Sequence, residues 1–155
     1  MLTIAGSTEK FAEMMNAEAK KLMATNSHFV NPSGLHDDNH YTTAYDLYLI
    51  FNECIKHDEF VKIINSSSYT AHITGADGTK RDVKWEPTNY YAKGEATPPD
   101  NVTIIGGKTG TTKGAGNCLI LLTKDSSGNP YISIIMGAGS KPLLYQDMTS
   151  MLSKI

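Results

Sequence analysis

Gly107-Lys108-Thr109-Gly110-Thr111-Thr112 gathers a cation, hydroxyls and glycines into one short run between two apolar segments of strand character. Two chemistries use such a run. A phosphate loop wraps backbone amides around a phosphate, and it needs a glycine five residues before its Gly-Lys-Thr and a helix after it. Here the earlier position is Val102, and Thr109 is followed by Gly-Thr-Thr-Lys-Gly-Ala-Gly and a second apolar strand. That context disfavours nucleotide binding and points to acyl transfer, where the charge and reach of Lys108 let it sit beside a carboxylate or a proton relay. The bland alternative is an exposed strand-end lysine.

Other groups with reactive side chains carry weaker signals. Ser7-Thr8-Glu9-Lys10 spells Ser-x-x-Lys at a helix start, where the helix N-terminus favours developing negative charge and a lysine one turn on can take a proton. Ser7 as a simple N-cap is the stronger reading. His36-Asp37-Asp38-Asn39-His40 has metal-ligating residue types but no further Cys or His set at a recognisable spacing, so it reads as a solvated turn, with no metal expected. Cys54 falls in a helical pattern and Cys118 in a strand pattern, and both read as buried thiols. Trp85, Tyr90 and Tyr91 suit either a peptide groove or half-buried packing. Asn65-Ser66-Ser67 and Asn101-Val102-Thr103 fit the glycosylation pattern, which chance often produces.

The elements that must position these residues can be read along the chain. With 155 residues, 40% of them apolar and 19% charged, the chain fits one domain or one lobe of a larger one. A net charge of −2 without a basic run argues against a nucleic-acid surface. Met1 to Gly6 has no basic leader, and the apolar runs are shorter than a membrane span, so neither signal nor anchor is expected. Ser7 caps a first helix with Phe11, Met14, Met15, Ala19 and Leu22 on its inner stripe. Residues 26 to 41 read as a long loop around Asn31-Pro32-Ser33-Gly34. Thr43 forms a capping box with Asp46, and Leu47, Ile50, Phe51 and Cys54 stripe a second helix ending near His57. Asp58 caps a short third helix through Ile64.

Tyr69 to Thr74 and Thr79 to Glu86 flank the turn Gly75-Ala76-Asp77-Gly78 as a hairpin, and residues 87 to 101 form a loop. Three strands follow, Val102 to Thr109, Asn117 to Lys124 and Tyr131 to Gly137, with Gly106 and Gly107 relieving crowding near a bend. A last helix from Lys141 turns Leu143, Leu144, Met148, Met151 and Leu152 inward. The class is α+β, an antiparallel sheet with flanking helices and the Lys-Thr-Gly at the end of the first late strand.

Phe29-Val30-Asn31-Pro32-Ser33-Gly34-Leu35, His40 to Leu47, Gly107 to Thr112 and Ala115-Gly116-Asn117-Cys118-Leu119, in that order, resemble the low-molecular-mass penicillin-binding proteins, the serine D-alanyl-D-alanine carboxypeptidases. The resemblance covers essentially the whole chain. It implies that residues 1–155 are the C-terminal portion of a β-lactamase/transpeptidase-like domain, without that family's Ser-x-x-Lys and Ser-x-Asn segments. Ala5-Gly6-Ser7 resembles the stretch just after the Ser-x-Asn loop, where the serine only caps a helix.

By the same resemblance, Lys108 and Thr109 bind the substrate's terminal carboxylate, Gly110 lets an extended peptide approach the strand edge, and the backbone N–H of Thr111 serves an oxyanion hole. The implied activity is trimming of peptidoglycan stem peptides ending in D-Ala-D-Ala, with β-lactams as pseudo-substrates and no cofactor. The parent protein would act outside the cytoplasm, and this chain alone would lack the nucleophile. The competing expectation is a non-catalytic module that binds cell-wall peptides or a protein partner. Sheet surface left bare by absent segments would favour self-association.

Overall fold

Leu119 and Leu121, on the central strand of a three-stranded antiparallel sheet, are fully buried and fix where the core lies. The computed structural model describes residues 2–155. The sheet has the order β3-β4-β5, from Val102–Thr112, Gly116–Asp125 and Pro130–Ala138. On one face lies the last helix, α6 (Lys141–Leu152), whose Leu144, Met148 and Leu152 recur every four residues and close the core against Leu119 and Leu121. Its start is set by Ser140, whose Oγ accepts the Leu143 N–H at 3.3 Å, and by a proline in the first turn, where no backbone donor is lost.

The expected inward set needs two corrections. Leu143 is 49% exposed because it lies a hundred degrees off the buried stripe, and Tyr145 takes its place in the core. Tyr145 can be buried because its polar end is satisfied, the hydroxyl oxygen accepting the Tyr90 N–H at 2.9 Å. Its ring also stacks on Tyr90, with centroids 4.5 Å apart.

The earlier part of the chain holds α1 (Leu2–Ala5), α2 (Thr8–Lys21), α3 (Ala44–Cys54) and α4 (Asp58–Ile64). Then comes a separate hairpin of β1 (Tyr69–Thr74) and β2 (Lys80–Trp85), followed by the short α5 (Tyr90–Lys93) inside the expected loop. Ser7 caps α2, its Oγ accepting the Lys10 N–H at 3.2 Å. The stripe of α2 is thinner than its apolar spacing implies: Ala12 and Ala19 are buried, whereas Met14 is 50% exposed. α2 is instead tied down by Asn16, which donates to the Phe29 carbonyl and accepts the Phe29 N–H, each at 2.7 Å. α3 packs against β5, and Phe51 meets Phe60 of α4 edge to face.

Three local expectations are revised by tertiary contacts. Thr43 caps α3 through the Asp46 N–H at 3.1 Å, but Asp46 does not return the bond and no reciprocal capping box forms. Asp46 is 1% exposed, and its Oδ2 accepts the Asn26 N–H at 2.8 Å and the Ser27 hydroxyl at 2.7 Å. The N-cap of α4 is His57, without a side-chain bond, while Asp58 is its first helical residue and complements the helix dipole. Both cysteines are half-buried, and burial pushes the Cys54 thiol above its ordinary value.

Asp46 carries a prediction of its own. Asp46→Ala removes a buried acceptor from two donors; the Ser27 hydroxyl can turn to Thr42 Oγ1, 2.7 Å away, but the Asn26 N–H loses its partner, which costs about 2 kcal/mol. Urea denaturation is the measurement, and a midpoint unchanged from the parent chain would show that the 26–28 loop does not depend on this carboxylate.

Candidate functional site

The Lys-Thr-Gly triplet lies inside β3, not at its end, because pairing with β4 continues through Thr111↔Asn117 and Thr112↔Gly116. Glycine at position 110 does not break the strand, since β3 is an edge strand with a hydrogen-bonded neighbour on one side only. Two other glycines control how the strand sits. A register shift between Ile104 and Gly106 bends β3. A Cβ on Gly106 would come within 2.2 Å of the Ile64 carbonyl oxygen, and one on Gly107 within 2.2 Å of the Ile120 carbonyl oxygen. These positions bring the end of α4 and the backbone of β4 against β3. Gly110, by contrast, faces open space, with nothing within 4 Å of its notional Cβ.

Lys108, Thr109, Gly110 and Thr111 together line a cavity of about 620 Å³. The Lys108 ammonium donates to the Thr109 carbonyl, and the Thr109 hydroxyl bonds with that of Thr88. The opposite wall is the loop Pro32-Ser33-Gly34, shaped by Asn31. Asn31 Oδ1 accepts from the Ser33 N–H at 3.1 Å, the Ser33 hydroxyl at 2.9 Å and the Gly34 N–H at 2.9 Å. That loop is held near β3 further along, where the His36 ring lies so close to Gly114 that a Cβ there would meet it at 2.6 Å. Lys141, at the start of α6, completes the rim. The charged residues among the lining are Lys108 and Lys141, with no carboxylate among them, so the cavity wall carries positive charge.

Ser7 lies elsewhere in the fold, at its cap, and is not part of this cavity. Tyr90 and Tyr91 serve packing against α6: the Tyr91 hydroxyl bonds with Thr149 Oγ1 at 2.7 Å, and burial pushes the Tyr91 phenol up from its usual value. Trp85 stays exposed on the hairpin. Lys141 went unrecognised as a site residue, although a signal for it exists. In an antiparallel meander the first and third strands run in the same direction, so the residues just after β5 fall at the end of the sheet toward which the Lys-Thr-Gly half of β3 runs. Thr88, Ser33 and Tyr145 carry no such signal.

The family model for D-alanyl-D-alanine carboxypeptidases matches residues 2–140. The chain is 29% identical to the D-alanyl-D-alanine carboxypeptidase DacF of Bacillus subtilis, over 96% of this chain and 36% of that protein. With the D-alanyl-D-alanine carboxypeptidase DacD of Escherichia coli it shares 32% identity over 88% of this chain and 32% of that one. The crystal structure of the Streptomyces K15 DD-transpeptidase superimposes with a TM-score of 0.82 at 26% identity, covering 93% of this chain and 53% of that one. The chain thus spans about a third of the length of these curated relatives and about half of that structure. Matched by that family model over nearly its whole length and by relatives in sequence and fold, the chain belongs to the D-alanyl-D-alanine carboxypeptidase family.

Proposed function

We propose that residues 1–155 form the C-terminal portion of a serine-type D-Ala-D-Ala carboxypeptidase domain that trims peptidoglycan stem peptides outside the cytoplasm and takes β-lactams as pseudo-substrates. The observation that carries this reading is the cavity on the open edge of β3, where Lys108 and Lys141 are the charged groups and Gly110 leaves room for a backbone. A peptide laid along β3 adds a strand to the sheet, its terminal carboxylate beside Lys108 and the Thr109 hydroxyl. The scissile carbonyl then lies near Thr111, whose N–H stabilises the oxyanion.

The attacking serine comes from a Ser-x-x-Lys segment outside this chain. Its hydroxyl oxygen bonds to the carbonyl carbon, the proton passes to a base, and D-Ala leaves as the amine takes up a proton. Water then hydrolyses the acyl-enzyme. This chain docks the substrate and polarises the carbonyl; it does not attack.

An acetylated pentapeptide ending in D-Ala-D-Ala, titrated by NMR, should shift the amides of residues 108–111, and its C-terminal amide should bind roughly ten- to a hundredfold more weakly because the charged hydrogen bonds are gone. Equal affinity for acid and amide would sink the carboxylate assignment. The same reading predicts no covalent adduct when the isolated chain is incubated with a reporter penicillin, because groups that orient a carbonyl cannot attack it. Intact-mass analysis checks this. A stoichiometric adduct on Ser7 would make that residue a nucleophile after all.

A further inference from the structure

Next to the Lys-Thr-Gly cavity lies a second cleft of about 350 Å³, and the two share Lys108 and Thr88. Its size falls in the range of small-molecule sites, roughly 300–1,000 Å³. One wall is aromatic. Tyr69 and Trp85 are direct partners across β1 and β2, so both side chains stand on the same face of the ribbon. Their rings are near-parallel, with 16° between planes and centroids 6.2 Å apart, and they stay open to solvent, Tyr69 at 63% and Trp85 at 54%. The rest of the lining mixes apolar Ile63, Ile64 and Pro87 with polar groups, the hydroxyls of Ser66, Ser68 and Thr88 beside Glu86 and Asn89. Ser66 spends its proton on the Lys62 carbonyl at 2.8 Å and therefore presents lone pairs to the cleft.

A solvent-open pair of stacked rings, with hydroxyls, an amide and a carboxylate beside it, has the chemistry of a pyranose site. The C–H face of the sugar lies on an outer face of the pair, and its hydroxyls and amide exchange hydrogen bonds with the polar groups of the rim. Neither aromatic residue is used by carboxylate docking on β3, and packing does not claim them. We propose that this cleft is a sugar subsite, taking one pyranose ring of the amino-sugar strand to which the stem peptide is attached. The proposal rests on the peptidoglycan reading and extends it from the peptide to the glycan.

Trp85 is the only tryptophan of the chain, so its emission reports on the cleft without a label. The chain is titrated with a soluble N-acetylglucosamine tetramer and, separately, with the sugar-free pentapeptide. The tetramer is expected to give a saturable blue shift, the peptide none. Tyr69→Ala should weaken the sugar roughly five- to tenfold while leaving the thermal midpoint and peptide affinity unchanged. Should that variant fail to fold, Trp85→Phe with saturation-transfer NMR on the sugar signals reads the same loss. Absence of a saturable shift up to the solubility of the tetramer would overturn the proposal, as would undiminished sugar affinity in Tyr69→Ala. A shift with the peptide alone would also overturn it and make the cleft a peptide subsite. A retained sugar response with no peptide binding at β3 would support the sugar subsite and count against carboxylate docking, so the two readings fail separately.

Discussion

In a domain completed by a Ser-x-x-Lys segment, Lys108→Ala lowers the rate of acylation by a reporter β-lactam by roughly 10²–10³-fold while moving the thermal midpoint by no more than about 2 °C. The two halves of this expectation have separate causes. Lys108 is exposed on an edge strand and its one hydrogen bond goes to the carbonyl of the next residue, so folding gains little from it. In the cavity, however, it is one of two cations among the lining residues, with no acidic group among them, and the proposed docking sets a ligand carboxylate or a developing charge beside it. An interaction that grows as charge develops lowers the barrier more than it strengthens ground-state binding. Stopped-flow acylation and differential scanning calorimetry on the same variant decide the matter. Parallel losses in rate and midpoint would make Lys108 structural, and an unchanged rate would transfer its role to Lys141.

Features written in local chemistry were legible in the sequence. Ser7 and Thr43 announce helix starts because a hydroxyl at the N-cap answers a donor three residues on, and both bonds form. Gly75-Ala76-Asp77-Gly78 announces its hairpin because Gly78 adopts a φ of +81°, which side chains resist. The meander β3-β4-β5 follows from its apolar segments and the turn around Gly128. Lys108 to Thr111 could be singled out because charge, hydroxyl and glycine on one strand make a recognisable surface, and all four line one cavity.

What stayed hidden depends on partners distant in sequence. Asp46 carries every mark of a capping-box acid, and only the packing of residues 26 and 27 on α3 turns it into a buried acceptor. Asn16 reads as a polar interruption of α2 until the Phe29 backbone is brought to it. Tyr145 reads as a neighbour of the apolar stripe, yet the Tyr90 N–H gives its hydroxyl a partner that permits burial. The far wall of the cavity is likewise a tertiary product. Asn31 shapes Ser33 and Gly34 locally, but the approach of that loop to β3 depends on His36 meeting a residue without a side chain at Gly114.

The glycines of β3 give the second large effect, because identical substitutions three residues apart should do opposite things. Gly107→Ala places a methyl group 2.2 Å from the Ile120 carbonyl oxygen and 2.8 Å from Leu121 Cδ2, against backbone that cannot turn aside. β3 and β4 must separate or shift register, at a cost of about 3 kcal/mol, or roughly 10 °C in midpoint. Gly110→Ala meets nothing within 4 Å, so stability should stay within about 0.5 kcal/mol of the parent. Its new methyl group projects into the space where a peptide is proposed to lie along the strand, and affinity for the D-Ala-D-Ala pentapeptide should fall roughly tenfold. Thermal melts and peptide titrations of both variants separate the roles. A folded, stable Gly107→Ala would mean that the strands yield more readily than their spacing implies. Full peptide affinity in Gly110→Ala would mean that the ligand does not run along this edge of β3, and the docking proposed for Lys108 and Thr109 would have to be redrawn with it.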